Sequence, residues 1–244
     1  ETSAKRIDMT TGSIWKCLVS FAIPVFIGHL FQQLYNTADS IIVGNFVGKE
    51  ALAAVSSSGN LIFMMTGFFM GLCMGAGVII SRYLGAKDYE KMQHTMHTAV
   101  AFGLCCGITL SVLGLWLAPK LLIMMKTPEN VLPLSTTYFR IYFFGSFFSL
   151  TYNVCAGILQ AVGDSKSPLR FLITASITNI ILDLVFVGVF DFGVAGAAIA
   201  TAISKTVEFA LVLIYMYKFE HRLNFRMHYI FAKTKQYVPS FIKF

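Results

Sequence analysis

Three stretches of this chain contain no Asp, Glu, Lys, Arg or His: Ala51–Ser81, Thr98–Pro119 and Ile141–Gly163. Each is longer than the roughly 20 apolar residues that carry an α-helix across a bilayer. Helices of a water-soluble domain need a polar face, which runs like these do not offer. Three further runs are long enough but interrupted: Cys17–Val43 by His29 and Asp39, Phe171–Phe190 by Asp183, and Gly193–Tyr217 by Lys205 and Glu208. The expectation is an all-α integral membrane protein, a bundle of six transmembrane helices. No segment is left over for the alternating strands of a closed β-barrel. Charged residues make up 13% of the chain, against roughly 25% in soluble domains. That excludes a soluble globule, a disordered chain and a collagen-like fibre.

The net charge of +7 is explained by topology rather than by nucleic acid, because most basic residues lie between the apolar runs. With the N-terminus inside, the inner segments hold Lys5, Arg6, Lys16, Arg82, Lys87, Lys91, Lys166, Arg170 and six more from Lys218 onward, fourteen in all. The outer segments hold four, Lys49, Lys120, Lys126 and Arg140, and Lys205 remains within a span. This bias predicts a multi-pass membrane protein with both termini of the segment in the cytoplasm. The five cysteines, Cys17, Cys73, Cys105, Cys106 and Cys155, sit in apolar stretches without C-x-x-C spacing. They read as small buried hydrophobes, not as a disulfide or zinc framework. The chain begins at Glu1 without a Met and reads as a piece of a longer protein. Residues 1–220 form the six-helix lobe, and the basic, aromatic tail at 221–244 either lies along the membrane surface or leads into a further helix.

Ionisable residues inside membrane spans are functional candidates, since the fold alone would not select them. In the first span Gln32, Tyr35, Asn36 and Asp39 are spaced i, i+3, i+4, i+7 and so share one helix face. In the fifth, Asn179 and Asp183 share a face, and Asp183 is about 10 Å from the span's outer end at 1.5 Å per residue. That is too deep for an Asp side chain to reach water, so it needs a proton, a cation or a donor. The sixth span offers Thr201. The fourth carries Tyr138, Tyr142, Ser149, Tyr152 and Asn153 in roughly one stripe. Carboxylates, amide oxygens and a hydroxyl are hard ligands that suit an alkali cation or a shared proton. Two carboxylates that approach one another cannot both stay charged and unpaired, which is the chemistry of ion coupling. The bland alternative is hydrogen bonding between helices, the ordinary use of Gln and Asn in membranes.

Other features receive structural readings. Lys205 and Glu208 are expected to form a local ion pair near the cytoplasmic end of the sixth span. His94 and His97, with no H-E-x-x-H pattern, are expected to be solvated at an inner loop or helix start. His29 is embedded and isolated, and its role stays open. Gly67, Gly71, Gly75 and Gly77 predict close helix packing by the second span. The Met- and Phe-rich composition suits lipid contact and would also suit a cavity for varied apolar ligands.

Several ordered motifs resemble the multidrug and toxic compound extrusion (MATE) transporters. They are Ile23-Pro24 through Gln32-Gln33-Leu34-Tyr35-Asn36-Thr37-Ala38-Asp39, Gly48–Val55, Ser81–Ala86, Leu159–Pro168 and Gly193–Thr201. The resemblance covers nearly the whole chain. It implies two six-helix lobes related by a pseudo-two-fold along the membrane normal, of which this would be the N-terminal one. A C-terminal six-helix lobe is then the missing partner, and residues 221–244 are the cytoplasmic linker towards it. It also implies efflux of small organic, often cationic, compounds across the plasma membrane in exchange for Na⁺ or H⁺, with no other cofactor. The DinF-like branch has an acidic residue in helix 1, N-x-x-x-D in helix 5 and Thr in helix 6, which match Asp39, Asn179, Asp183 and Thr201. These four are the implied proton or Na⁺ site. Gln32, Tyr35, Asn36, Tyr138 and Asn153 are the implied substrate cavity.

Three other functions compete. A lipid-linked saccharide flippase of the same superfamily would want a cationic cavity for its pyrophosphate head group, whereas the mid-membrane charge here is mainly acidic. An intramembrane enzyme would need a nucleophile–base or metal set, and no Ser/His/Asp or His/Cys cluster converges on the spans, so no catalytic residue is assigned. A single lobe acting alone would be a non-transporting scaffold, because alternating access needs a second lobe to rock against.

Overall fold

The computed structural model describes residues 13–218, and the expected linker at 221–244 lies outside the described residues. Six α-helices follow in the expected order: α1 (Ile14–Phe46), α2 (Lys49–Gly85), α3 (Tyr89–Met124), α4 (Leu132–Ala161), α5 (Lys166–Asp183) and α6 (Gly193–Lys218). All six are long and apolar enough to cross a membrane, α5 together with the turn that follows it. The helices outrun the charge-free stretches. α3 starts at Tyr89 rather than near Thr98, and α4 at Leu132 rather than near Ile141.

That extension of α3 corrects the expectation for His94 and His97, which are buried and not solvated. Met92 and Met96 beside them enter an apolar cluster with Ile80, Cys155, Ile158 and Leu159, so the start of α3 is packed rather than frayed. His97 Nδ1 lies 2.7 Å from the Gln93 carbonyl oxygen, and His94 Nε2 is 3.6 Å from Glu90. Among the cysteines, Cys106 and Cys155 are buried as expected, whereas Cys105 is exposed. The Cys73 side chain lies outside the described residues.

α4 is the hub of the bundle. α3, α6 and α2 pack along it, whereas α1 leans chiefly on α5. Glycine allows the closest of these approaches, but not the glycines expected. A Cβ at Gly107 would stand 3.0 Å from the Phe147 Cα, one at Gly103 2.6 Å from Val154, and one at Gly114 would run into the Phe143 ring. The seam is therefore α3 on α4. At Gly67, Gly71 and Gly75 of α2 an added Cβ would meet nothing within 4 Å among the described residues, and of the four only Gly77 nears a neighbour, the Gly157 carbonyl at 3.6 Å.

The turn between α4 and α5 is fixed by a carboxylate. Gly163 takes φ +89°, a left-handed conformation suited to glycine. Asp164 then accepts hydrogen bonds from the Ser167 N–H (3.0 Å), the Ser167 hydroxyl (2.7 Å) and the Tyr215 hydroxyl of α6 (2.8 Å). Pro168 follows in the first turn of α5, where its missing N–H costs no helical bond. Asp88 caps α3 similarly. The Lys91 side chain (2.7 Å), then the Lys91 backbone N–H (3.2 Å), hold its carboxyl below the usual carboxylate range.

The fifth span is not the uninterrupted α-helix expected over Phe171–Phe190. After Asp183 the ladder loosens into a π-helical segment, Leu184–Val189, and the Phe190 N–H donates to the Val185 carbonyl at 2.9 Å. A π turn takes up one extra residue and recurs at functional sites. Here it starts immediately after the buried carboxylate.

Candidate functional site

A cavity of about 690 Å³ opens between α1, α2, α4 and α6. The α1 face read from the sequence lines it with Gln32, Tyr35, Asn36 and Asp39, and His29 sits at its margin. From α4 come Tyr138, Tyr142, Ser149 and Asn153, and from α6 Thr201 and Lys205. All five residues expected in the cavity are therefore there. Tyr152, the remaining member of the α4 stripe, is instead bound through its hydroxyl to the Pro168 carbonyl, 3.2 Å away. Asn153 donates to the Ser149 carbonyl at 2.7 Å, and the Tyr138 and Tyr142 rings stack with centroids 6.3 Å apart. α2 adds Ser56 and Thr66, which sequence reasoning missed because both lie in a charge-free run with no periodic polar signal.

The four residues assigned to the ion divide into two pairs. Asp39 and Thr201 line the cavity, whereas Asn179 and Asp183 of α5 do not. Asp183 is 0% exposed, Asn179 1% and Asp39 6%. The pairs are nevertheless electrostatic neighbours: Asp183 feels the charge of Asp39, and Tyr138 feels both. Both oxygens of Asp183, both amide atoms of Asn179 and Oδ1 of Asp39 are buried without a hydrogen-bond partner among the described residues. A buried carboxylate left unpaired is costly, by several kcal/mol for an ion. Carboxylate and amide oxygens are the donors that a hard cation or a proton takes. The donor set therefore fits either coupling ion. Among the described residues, no three His, Cys, Asp or Glu side chains group as a metal cluster.

Lys205 and Glu208 form the expected local pair, Nζ to Oε2 at 2.9 Å. Its depth differs from expectation. Lys205 is the thirteenth of the 26 residues of α6, at mid-helix rather than near a cytoplasmic end. Both residues are buried, and the Lys205 ammonium lies 5.3 Å from the centre of the Tyr35 ring on α1. The run Gly193–Tyr217 already places Lys205 at its middle, and the bland reading of a terminal ion pair overlooked that count.

Comparison with known proteins bears on the family and the fold. Residues 24–185 match the family model MatE. The chain is 35% identical to the probable multidrug resistance protein YpnP of Bacillus subtilis over 219 residues, covering 90% of this chain and 49% of that protein. It is 23% identical to the multidrug export protein MepA of Staphylococcus saprophyticus, covering 95% of this chain and 51% of that one. A solved outward-facing structure of a multidrug resistance MATE family transporter superposes with TM-score 0.83 at 27% identity, over 99% of this chain and 55% of the other. The chain thus spans about half the length of the relatives it matches.

Proposed function

This chain belongs to the MatE family, and on that premise we propose that it forms the N-terminal lobe of a two-lobe, cation-coupled antiporter exporting drugs or other organic compounds across the plasma membrane. In this reading Asp39, Asn179, Asp183 and Thr201 take up Na⁺ or H⁺. The exported compound occupies the cavity of Gln32, Tyr35, Asn36, Tyr138 and Asn153. A C-terminal six-helix lobe, joined through 221–244, closes the cavity from the other side. One observation carries the reading: five buried polar atoms of Asp39, Asn179 and Asp183 lack partners beside a cavity large enough for a small organic molecule.

Asp39 couples the two events because it belongs to both. Its carboxylate borders the cavity and neighbours Asp183. An ion held between the two carboxylates neutralises the cavity wall and withdraws the charge that would attract a cationic compound. Ion and compound therefore favour different states, and each shifts the equilibrium only by its differential affinity.

Transport by the full-length protein in proteoliposomes, with Na⁺ and pH gradients imposed separately, tests the reading. Export driven by either gradient is expected, and stimulation by neither would refute it. Orientation is tested by single cysteines at Lys49 and Lys166, both exposed. A membrane-impermeant thiol reagent added outside should label the first and not the second.

A further inference from the structure

The cavity is acidic at Asp39 and basic at Lys205, and the exchange described above leaves the basic group without a role. Lys205 opens onto the large cavity and also onto a smaller one of about 90 Å³, which reaches the α4–α5 turn at Ser165 and Pro168. Its partner Glu208, fully buried, lines the smaller cavity too. Oε2 of Glu208 is engaged by Lys205, and the Tyr152 hydroxyl stands beside the same carboxylate. Oε1 is buried with no partner among the described residues, and so is the Ser165 hydroxyl facing the same space. As a purely structural device this pair is poor, because desolvating two charges tends to outweigh their attraction, and apolar residues of equal volume serve as well or better. An ion pair can do one thing that Leu and Met cannot: exchange partners.

Resting on the exporter reading, we propose that Lys205 is an anion subsite of the cavity, which takes the carboxylate of a zwitterionic aromatic compound whose cationic end lies towards Asp39. The ammonium has three donors, and among the described residues Glu208 Oε2 is its one charged acceptor. Tyr35 and Tyr142 on the same cavity wall offer rings to an aromatic body. When Lys205 turns to an incoming carboxylate, Glu208 loses its counter-charge in a buried position. The smaller cavity answers that loss. At about 30 Å³ per liquid water it has room for water molecules to hydrogen-bond both oxygens of Glu208.

Equilibrium binding of rhodamine B, a zwitterion, and of its ethyl ester, a cation with the same ring system, to the full-length protein in detergent reads the subsite without any gradient. Rhodamine B should bind roughly tenfold tighter than the ester, the scale of one charge-assisted hydrogen bond. Glu208→Gln releases Lys205 from its carboxylate and should widen that ratio. The double variant Lys205→Met with Glu208→Leu removes both charges while nearly conserving volume. It should bring the ratio to about one while ester binding, the control for folding, persists. A ratio near one in the unaltered protein, a ratio that survives the double variant, no widening in Glu208→Gln, or failure to bind either dye would each overturn the proposal. A protein that gives the expected ratios but exports with neither gradient overturns the antiporter reading alone.

Discussion

Two buried carboxylates on either side of α5 are treated in opposite ways. Asp164, at the helix's start, receives three hydrogen bonds from Ser167 and Tyr215. Asp183, at its end, receives none among the described residues. Burial is nearly equal, 3% against 0% exposed, so depth does not separate them. Partners do. A carboxylate whose acceptor sites are filled by the chain is part of the framework, tying a turn to a neighbouring helix. One whose oxygens are left open is, under the exporter proposal, available to a proton or cation. Glu208 stands between the two, with one oxygen on Lys205 and the other open.

The contrast can be broken most directly through transport. Asp183→Asn keeps the size and hydrogen-bonding capacity of the side chain but removes its charge. Gradient-driven export in proteoliposomes should fall at least roughly tenfold, the scale of a lost coupling free energy, with membrane insertion unchanged. Asp39→Asn should do likewise, and wild-type export by Asp183→Asn would end the distinction. Asp164→Ala is the framework counterpart. Losing three hydrogen bonds to a charged group should cost about 3 kcal/mol, measured as a lower unfolding temperature in detergent. Its effect on the gradient requirement should be nil.

A smaller and opposite change sharpens the comparison further. Asp183→Asn should stabilise the fold in buffer free of Na⁺ by about 1–2 kcal/mol, read as a higher unfolding temperature, because an unsatisfied carboxylate is replaced by a group cheaper to bury. A fall in stability there would mean that Asp183 has partners the structure lacks. The mildest case is Asp88. Its folded carboxyl lies below the usual range because of Lys91, so its contribution is present above the unfolded carboxylate value. That contribution is lost as the pH falls through the folded one. Asp88→Asn should therefore flatten a slight loss of thermal stability on acidification and leave export unaltered.

Much of this was legible in the sequence. The three charge-free runs announced helices, and the interrupting residues announced their own importance, since nothing apolar requires Asp39 or Asp183 in a span. The i, i+3, i+4, i+7 stripe of Gln32, Tyr35, Asn36 and Asp39 reached the cavity wall intact. What failed to show were properties of pairs of helices. Periodicity gives a face but not what lies opposite, so close packing was expected of the α2 glycines and not of those in α3. Only the Phe147, Val154 and Phe143 neighbours across α4 decide between them. His94 and His97 were misread for the same reason: Met92 and Met96 beside them pack with Ile80 and Cys155 of other helices, which periodicity along α3 does not show. The mid-membrane depth of Lys205 was countable from the run Gly193–Tyr217, which ends one residue short of α6; its burial against α1 was not.

The π turn at Leu184–Val189 has a consequence for comparing relatives of this protein. A π turn is one residue inserted into an α-helix, and each residue turns a helix by about 100°. A relative whose fifth helix runs on as plain α must either be one residue shorter between its counterparts of Asp183 and Gly193 or present its exit on a rotated side. An ungapped alignment that matches Asn179 and Asp183 will then slip by one position at the glycines opening α6, carrying Thr201 and Lys205 out of register with it. The single-residue gap belongs after the aspartate, within the turn that can absorb it.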